Sequence, residues 1–306
     1  MSEIDAVRIQ FSEQNLFLLN MSLGFIMFGV ALNLVLDDFR RLFQNPRPAL
    51  VGVASQFVLL PALTFCLIWV FEPVPSIALG MVLIAACPGG NISNFMSANA
   101  GGNTALSVTL TAVSTVLAIL MTPLNLSFWG SLYAPAAPLL TSVDVSFSNV
   151  FETVTLILGV PLILGMAVRH FLPAPAKRLA RLMQTLSIAI FAVIVVMALV
   201  ANYEHLMGSL IVVFDLVLIH NTIALSGGYL FAVGAGLATA SRQTLALETG
   251  IQNSGLGLIL IFNFFDGMGG MALVAGWWGI WHIVSGLALS SYWRYRSAPT
   301  LATKRT

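Results

Sequence analysis

Charge is scarce in this sequence. Asp, Glu, Lys and Arg make up 8% of its 306 residues, against about 25% in a soluble domain. So little charge cannot clothe a water-facing surface, and a net charge of +1 supplies no electrostatic footprint for nucleic acid. Cysteine is scarcer still: Cys66 and Cys87 are all there is. That excludes a disulfide framework and a thiolate metal cage, and both cysteines are expected to behave as small buried hydrophobes. No His-Glu-x-x-His motif and no recognisable pair of membrane aspartates occurs, so the usual equipment of an intramembrane hydrolase is missing. An enzyme is not expected; a pairing of His282 with a serine is the one arrangement left open. The first residues, Met1 to Asn15, carry Glu3, Asp5, Arg8 and Glu13. They lack the basic start and short apolar core of a signal peptide and read as a polar tail.

Apolar residues are abundant: 58% of the chain is hydrophobic and the mean hydropathy is +0.94. The fold class is therefore an all-α membrane protein. A helix crosses the bilayer core with about 20 apolar residues. The apolar runs predict nine transmembrane helices, at 16–36, 47–71, 76–99, 104–130, 148–170, 178–202, 208–235, 241–265 and 269–293. Basic side chains favour cytoplasmic loops. Arg40, Arg41 and Arg47 follow the first span; Arg169, Lys177, Arg178 and Arg181 the fifth; Arg242 the seventh; Arg294, Arg296, Lys304 and Arg305 the ninth. With nine spans all of these share one side, and Arg8 alone lies on the other. The opposite loops hold Glu72, Asp144, Glu204 and Asp266. This places the N-terminus outside and the C-terminus in the cytoplasm of a plasma (inner) membrane.

Two spans are built to break. Cys87-Pro88-Gly89-Gly90-Asn91-Ile92-Ser93-Asn94 interrupts the third, where proline removes a donor and two glycines follow. Leu247-Glu248-Thr249-Gly250-Ile251-Gln252-Asn253-Ser254-Gly255 interrupts the eighth. Spans one to four (16–130) and six to nine (178–293) thus form similar blocks offset by five helices. An odd offset inverts the second block, giving an inverted-topology repeat whose broken spans mark a transporter binding site. The organisation is a tail (1–15, outside), a first repeat (16–130), a connector with span five (131–177), a second repeat (178–293) and a cytoplasmic tail (294–306).

A broken helix leaves carbonyls unpaired at one end and N–H groups at the other, tolerable in a membrane only inside protein or along a cavity. Two breaks crossing at one point would suit a cation and an anion together. Glu248 is the sharpest residue. A carboxylate at bilayer depth costs several kcal/mol unless it is paired or solvated, and no Lys or Arg is expected at its depth. Oxygens surround it in sequence terms: Gln252 one turn on, Ser93 and Asn94 on the third span, Ser107 and Thr111 one turn apart on the fourth. An all-oxygen set suits a hard monovalent cation such as Na⁺; the alternatives are a protonated, hydrogen-bonded carboxyl and a proton-coupled role.

These residues resemble the bile acid:sodium symporter family. The likeness runs from Gly24-Phe25-Ile26-Met27-Phe28-Gly29 to Trp281-His282. It includes Asp38-Phe39, Asn45-Pro46, Gln56-Phe57, Pro61, Cys87-Pro88-Gly89-Gly90, Ser93-Asn94, Leu106-Ser107 and Glu248-Thr249-Gly250-Ile251-Gln252-Asn253. The resemblance implies a panel domain and a core domain, with the two broken helices crossing in the core, and two sodium sites. The first would use Ser93, Asn94, Ser107, Thr111 and Glu248. The second would use Gln56, Glu248 and Gln252, with backbone carbonyls at Thr249 and Ile251. Taken without the family, Gln56 is as readily a helix–helix hydrogen bond as a ligand. Asn103 and Ile283 depart from common family residues, and the latter weakens any transfer of substrate preference.

Asn91 and Asn253 begin the second halves of the broken spans, beside exposed helix N-termini, and are the candidate substrate contacts. His282 joins them by family position; a neutral histidine bonded between helices is its alternative. Asp215 and His220 in span seven could serve proton movement, bind substrate, or pair with each other or with a neighbouring helix. Trp277 and Trp278 suit interfacial anchoring. The expected function is sodium-coupled symport of an organic anion, bile-acid-like or a small carboxylate such as pantoate, by alternating access. No cofactor beyond Na⁺, no nucleic acid and no obligate protein partner is expected; the partners are the anion and the lipid bilayer. A proton-coupled or arsenite-type permease using Cys87 is the rival within transport, and an intramembrane enzyme the rival outside it.

Overall fold

The computed structural model describes residues 3–8, 13–44, 46–142, 147–176, 178–180, 182–183, 186, 193 and 203–302. Every regular element among the described residues is helical. The principal helices are α1 (Glu13–Ala31), α2 (Leu36–Gln44), α3 (Pro46–Phe71), α4 (Pro75–Ala86), α5 (Ile92–Asn99), α6 (Thr104–Leu132), α7 (Phe147–Phe171), α8 (Tyr203–Gly234), α9 (Thr239–Gly250), α10 (Ser254–Phe264) and α11 (Gly269–Ala302).

Five are long and apolar enough to cross a membrane: α3, α6, α7, Val213–Gly234 of α8 and Gly269–Arg296 of α11. The third and eighth expected spans appear as the half-helix pairs α4–α5 and α9–α10, and the first as the shorter apolar helix within α1. The sixth, 178–202, lies almost wholly outside the described residues.

The half-helices occupy the centre. Ser76 through Ala86 of α4, Gln243 through Gly250 of α9 and Leu256 through Phe262 of α10 are buried without interruption. A helix buried all round must be apolar all round, which explains the lack of any polar stripe in α4 and α10. The longer helices α3, α6, α8 and α11 surround them, and each keeps large apolar side chains exposed, among them Trp69, Leu124, Leu230 and Val284. To one side α1 meets α7, where Ala31, Leu34 and Leu162 cluster with Ala112 of α6. Asn20 of α1 and Asn263 of α10 exchange amide hydrogen bonds at 3.2 and 2.9 Å.

Proline shapes α3 and α7 in the same way. Pro61 and Pro161 each follow a single π turn, Ser55–Leu59 and Thr155–Gly159. A proline ring clashes with the carbonyl four residues back, and a π turn relieves the clash by inserting one extra residue.

Several expectations are corrected. Cys87 is buried but Cys66 is exposed, so only the first behaves as a small core residue. Trp278 is fully buried, with its ring 4.7 Å from that of His220, and therefore anchors no interface. Of the alternatives left open for His220, the neighbouring helix is the one found: it bonds Thr64 of α3 at 2.6 Å, while Asp215 is exposed. Part of the polar tail is docked: Ile4 and Asp5 are buried, and an Asp5 carboxylate oxygen accepts the Ser76 N–H at 3.0 Å in the first turn of α4. That helix N-terminus favours negative charge.

Candidate functional site

The two breaks meet. Cys87 is extended (φ −69°, ψ 155°), as the residue before a proline prefers. Ile251 is extended as well (φ −109°, ψ 103°). The short segments lie antiparallel, with Gly89 opposite Gln252. The Gly90 N–H donates to the Ile251 carbonyl and the Asn253 N–H to the Pro88 carbonyl, both at 2.8 Å. Side chains take further carbonyls: Thr122 bonds Ala86 at 2.8 Å, Gln56 bonds Cys87 at 2.9 Å, Gln252 bonds Thr249 at 2.7 Å and Asn221 bonds Gly250 at 2.7 Å. This corrects the expectation of a break lined by unpaired backbone groups. The breaks satisfy each other, because a buried unpaired amide or carbonyl costs several kcal/mol. A carbonyl has two lone pairs, so Thr249 and Ile251 each retain one.

Glycine makes the crossing close enough. A methyl at Gly89 would lie 3.2 Å from Glu248 Oε2 and 3.4 Å from the Glu248 carbonyl, and one at Gly90 would lie 3.2 Å from the Gln252 carbonyl.

Glu248, on the last turns of α9, is 5% exposed. Ser93 of α5 donates its hydroxyl to Oε1 at 2.6 Å, Ser107 of α6 donates to the same oxygen, and Thr111 of α6 reaches Oε2 at 3.2 Å. Thr111 also lies 3.3 Å from Asn94 Oδ1. All five residues of the first expected set therefore meet, although Ser93 and Glu248 stand 155 positions apart in sequence. Among the described residues the ion pair is Arg40–Asp37 at the surface; Glu248 has no cationic partner there.

The second set adjoins it. Gln56 Nε2 donates to Gln252 Oε1 at 2.6 Å, and Gln252 Nε2 lies 3.3 Å from Gln56 Oε1. The π turn places both Ser55 and Gln56 inside, where the Ser55 hydroxyl lies 2.7 Å from that of Thr249. Pro61 in an apolar helix was the sequence signal for this turn.

The substrate candidates differ among themselves. Asn91 precedes α5 and makes no side-chain cap. Asn253 caps α10, its Oδ1 accepting the Leu256 N–H at 3.1 Å, while Nδ2 lies 3.9 Å from Met27 Sδ on α1. His282 on α11 is buried, with Nδ1 unpartnered among the described residues. Ser285 one turn on bonds Asn221 at 2.6 Å rather than the imidazole, so no serine–histidine pair forms there. Asn221, Ser285 and Thr122 escaped the sequence reading; each is a polar residue inside an apolar span, a signal weakened by the many helix–helix hydrogen bonds that look alike.

Known proteins resemble this chain over most of its length. The model of the sodium bile acid symporter family matches residues 20–209. An uncharacterized sodium-dependent transporter, YocS of Bacillus subtilis, is 33% identical over 271 residues, covering 89% of this chain and 81% of its own. The probable sodium/metabolite cotransporter BASS1, chloroplastic, of Arabidopsis thaliana is 32% identical over 277 residues, 89% of this chain and 65% of its own. The human ileal sodium/bile acid cotransporter is 31% identical over 241 residues, 78% of this chain and 67% of its own. The chain thus spans roughly two thirds of the plant relative's length. These relatives are named as a sodium-dependent transporter and as sodium cotransporters. The chain belongs to the sodium bile acid symporter family.

Proposed function

We propose that this protein imports an organic anion across the plasma membrane, driven by Na⁺ bound at the crossing. The observation that carries the proposal is the convergence of Ser93, Ser107 and Thr111 on the buried Glu248 carboxylate. A hydroxyl can donate to the carboxylate and still offer a lone pair to an ion. Asn94 Oδ1 and the two Glu248 oxygens complete an all-oxygen set with one negative charge, matched to a hard monovalent cation. The second ion would lie among Gln56, Gln252, Glu248 and the Thr249 and Ile251 carbonyls. Reaching it requires the reciprocal Gln56–Gln252 amides to turn so that oxygen rather than N–H faces the ion.

The anion would bind beside the crossing, against Asn91, Asn253 and His282. Asn253 touches Met27 of α1, so it stands where a panel containing α1 and α7 meets a core of α3–α6 and α8–α11. Nine spans in an inverted repeat, with the N-terminus outside and the C-terminus in the cytoplasm, accord with the basic loops and with the paired breaks. In alternating access the core moves against the panel once the ions have ordered the crossing. Two Na⁺ with one monoanion carry net positive charge inward, each charge contributing about 2.3 kcal/mol per 100 mV.

The test is a thermal-shift titration of purified protein with NaCl against KCl, with and without candidate carboxylates. A ligand that binds the folded state stabilises it by mass action. Sodium-dependent stabilisation is expected in the parent and lost in Glu248→Gln and Gln252→Ala. Persistence of the full sodium response in both variants overturns the site.

A further inference from the structure

We infer that Asn221, oriented by Ser285, is a positioning residue for the sodium site at the end of α9. The inference rests on the sodium reading above.

Asn221 is 1% exposed, midway along α8. Its Nδ2 donates to the carbonyl of Gly250, the last residue of α9, at 2.7 Å. Its Oδ1 accepts the Ser285 hydroxyl of α11 at 2.6 Å. Both ends of the amide are engaged, so its orientation is set. Leu225 of α8, one turn on, fills the space beside Gly250, and α8 therefore backs the end of α9 with both a packing contact and a hydrogen bond.

The same device appears at the other break. Gln56 of α3 donates its amide N–H to the carbonyl of Cys87. Cys87 lies two residues before Gly89, and Gly250 two residues before Gln252, in the paired segments. In each break the carbonyl two residues before the paired position is thus held by a carboxamide from the span just before it. Gln56 is long enough to reach Gln252 as well. Asn221 is one methylene shorter and turns instead to Ser285.

The carbonyl that Asn221 holds is flanked by the two assigned to the ion. Thr249 and Ile251 point their carbonyls to Gln252 and to Gly90, while Gly250 points to α8. Gly250 ends the helix and Ile251 is extended, so the peptide unit that joins them is where the chain changes direction. Holding its carbonyl toward α8 fixes that peptide plane, and with it the direction in which the Ile251 carbonyl leaves for the crossing. Through Ser285, the same bond joins the end of α9 to the helix that carries His282 one turn earlier.

The experiment uses the purified full chain, with NaCl titrated against KCl at constant ionic strength and the melting midpoint followed. Asn221→Leu keeps volume and removes both hydrogen bonds. It is expected to raise the Na⁺ concentration for half-maximal stabilisation on the order of tenfold, the worth of a hydrogen bond or so. Asn221→Gln is expected to restore most of the affinity. Ser285→Ala should act in the same direction, and the double variant should be no worse than Asn221→Leu, since coupled partners are non-additive. A lowered sodium-free midpoint with unchanged half-saturation means a merely structural bond and overturns the inference, as do additive effects in the double variant. If Asn221→Leu does not yield folded protein, an unchanged half-saturation in Ser285→Ala overturns it. Glu248→Gln separates the two levels. A retained sodium response there defeats the sodium reading itself, whereas its loss beside a parental response in Asn221→Leu defeats this inference alone.

Discussion

Among the described residues, Glu248 is met by three hydroxyls and by no counter-charge. Each donates a charge-assisted hydrogen bond, stronger than a neutral one, so the carboxylate is held in one orientation before any ion arrives. Removing Ser107 leaves Oε1 with Ser93 alone. Ser107→Ala is therefore expected to weaken sodium binding by about tenfold, read from the sodium dependence of uptake in proteoliposomes; an unchanged dependence would detach Ser107 from the site. Gly89→Ala tests the same corner from the backbone side. Its methyl would stand 3.2 Å from Oε2 and must displace the carboxylate or the crossing, at a cost of about 1–3 kcal/mol, visible as a lower melting midpoint. Cys87 and Cys66 make a contrast in reactivity. Cys66 is exposed on the membrane-spanning α3 and Cys87 is buried, so a membrane-permeant maleimide should modify Cys66 ahead of Cys87 and leave the sodium response intact. Loss of that response on modification of Cys87 would revive a thiol-based permease.

Helix irregularities do the positioning. The π turn before Pro61 shifts the register of α3 by one residue, a rotation of about 100° about the helix axis, and thereby presents Ser55 and Gln56 inward together. Pro61→Ala permits a regular α-helix and is expected to turn Gln56 partly away. The outcome would be a weaker sodium half-saturation with helix content by circular dichroism unchanged. The two breaks differ in how they stop. The first relies on Pro88 and the extended preference it imposes on Cys87. The second has no proline and relies on Asn253, which caps the next half-helix. Both nonetheless arrive at the same antiparallel pairing, which satisfies donors and acceptors that the bilayer could not.

Across the protein, α1 and α10 are joined by the reciprocal Asn20–Asn263 amides and, nearer the crossing, by Met27 and Asn253. On the proposed reading of a panel moving against a core, such contacts would have to break in each cycle. With Cys66 replaced by Ala, cysteines at positions 20 and 263 bridged by a short bifunctional maleimide are expected to stop uptake, while the unbridged double variant still transports. Full transport by the bridged protein would place α1 and α10 in one rigid unit. Electrogenic uptake, measured as current on solid-supported membranes, should accompany transport if two Na⁺ enter per monoanion.

Composition led to a membrane protein, and the apolar runs of about 20 residues to helices rather than a closed barrel, the two structures that satisfy a backbone within a bilayer. The breaks were legible because Pro88, Gly89 and Gly90 cannot continue a helix, and Glu248 because an acid at that depth demands partners. Ser93, Asn94, Ser107, Thr111 and Gln252 stood out as oxygens near Glu248, their division into two candidate sites followed from family resemblance, and the fold brings the first four to Glu248 as a group. The pairing of Gly89 with Gln252 was not legible. It is made by backbone atoms, which every residue carries, across a separation that no local pattern spans. For the same reason the carbonyls at the breaks had seemed free when most were already bonded. Nor did an Asn at position 221 differ, as sequence, from any polar residue joining two helices; only the arrangement of α8, α9 and α11 in space puts its amide on the one carbonyl between two candidate ligands.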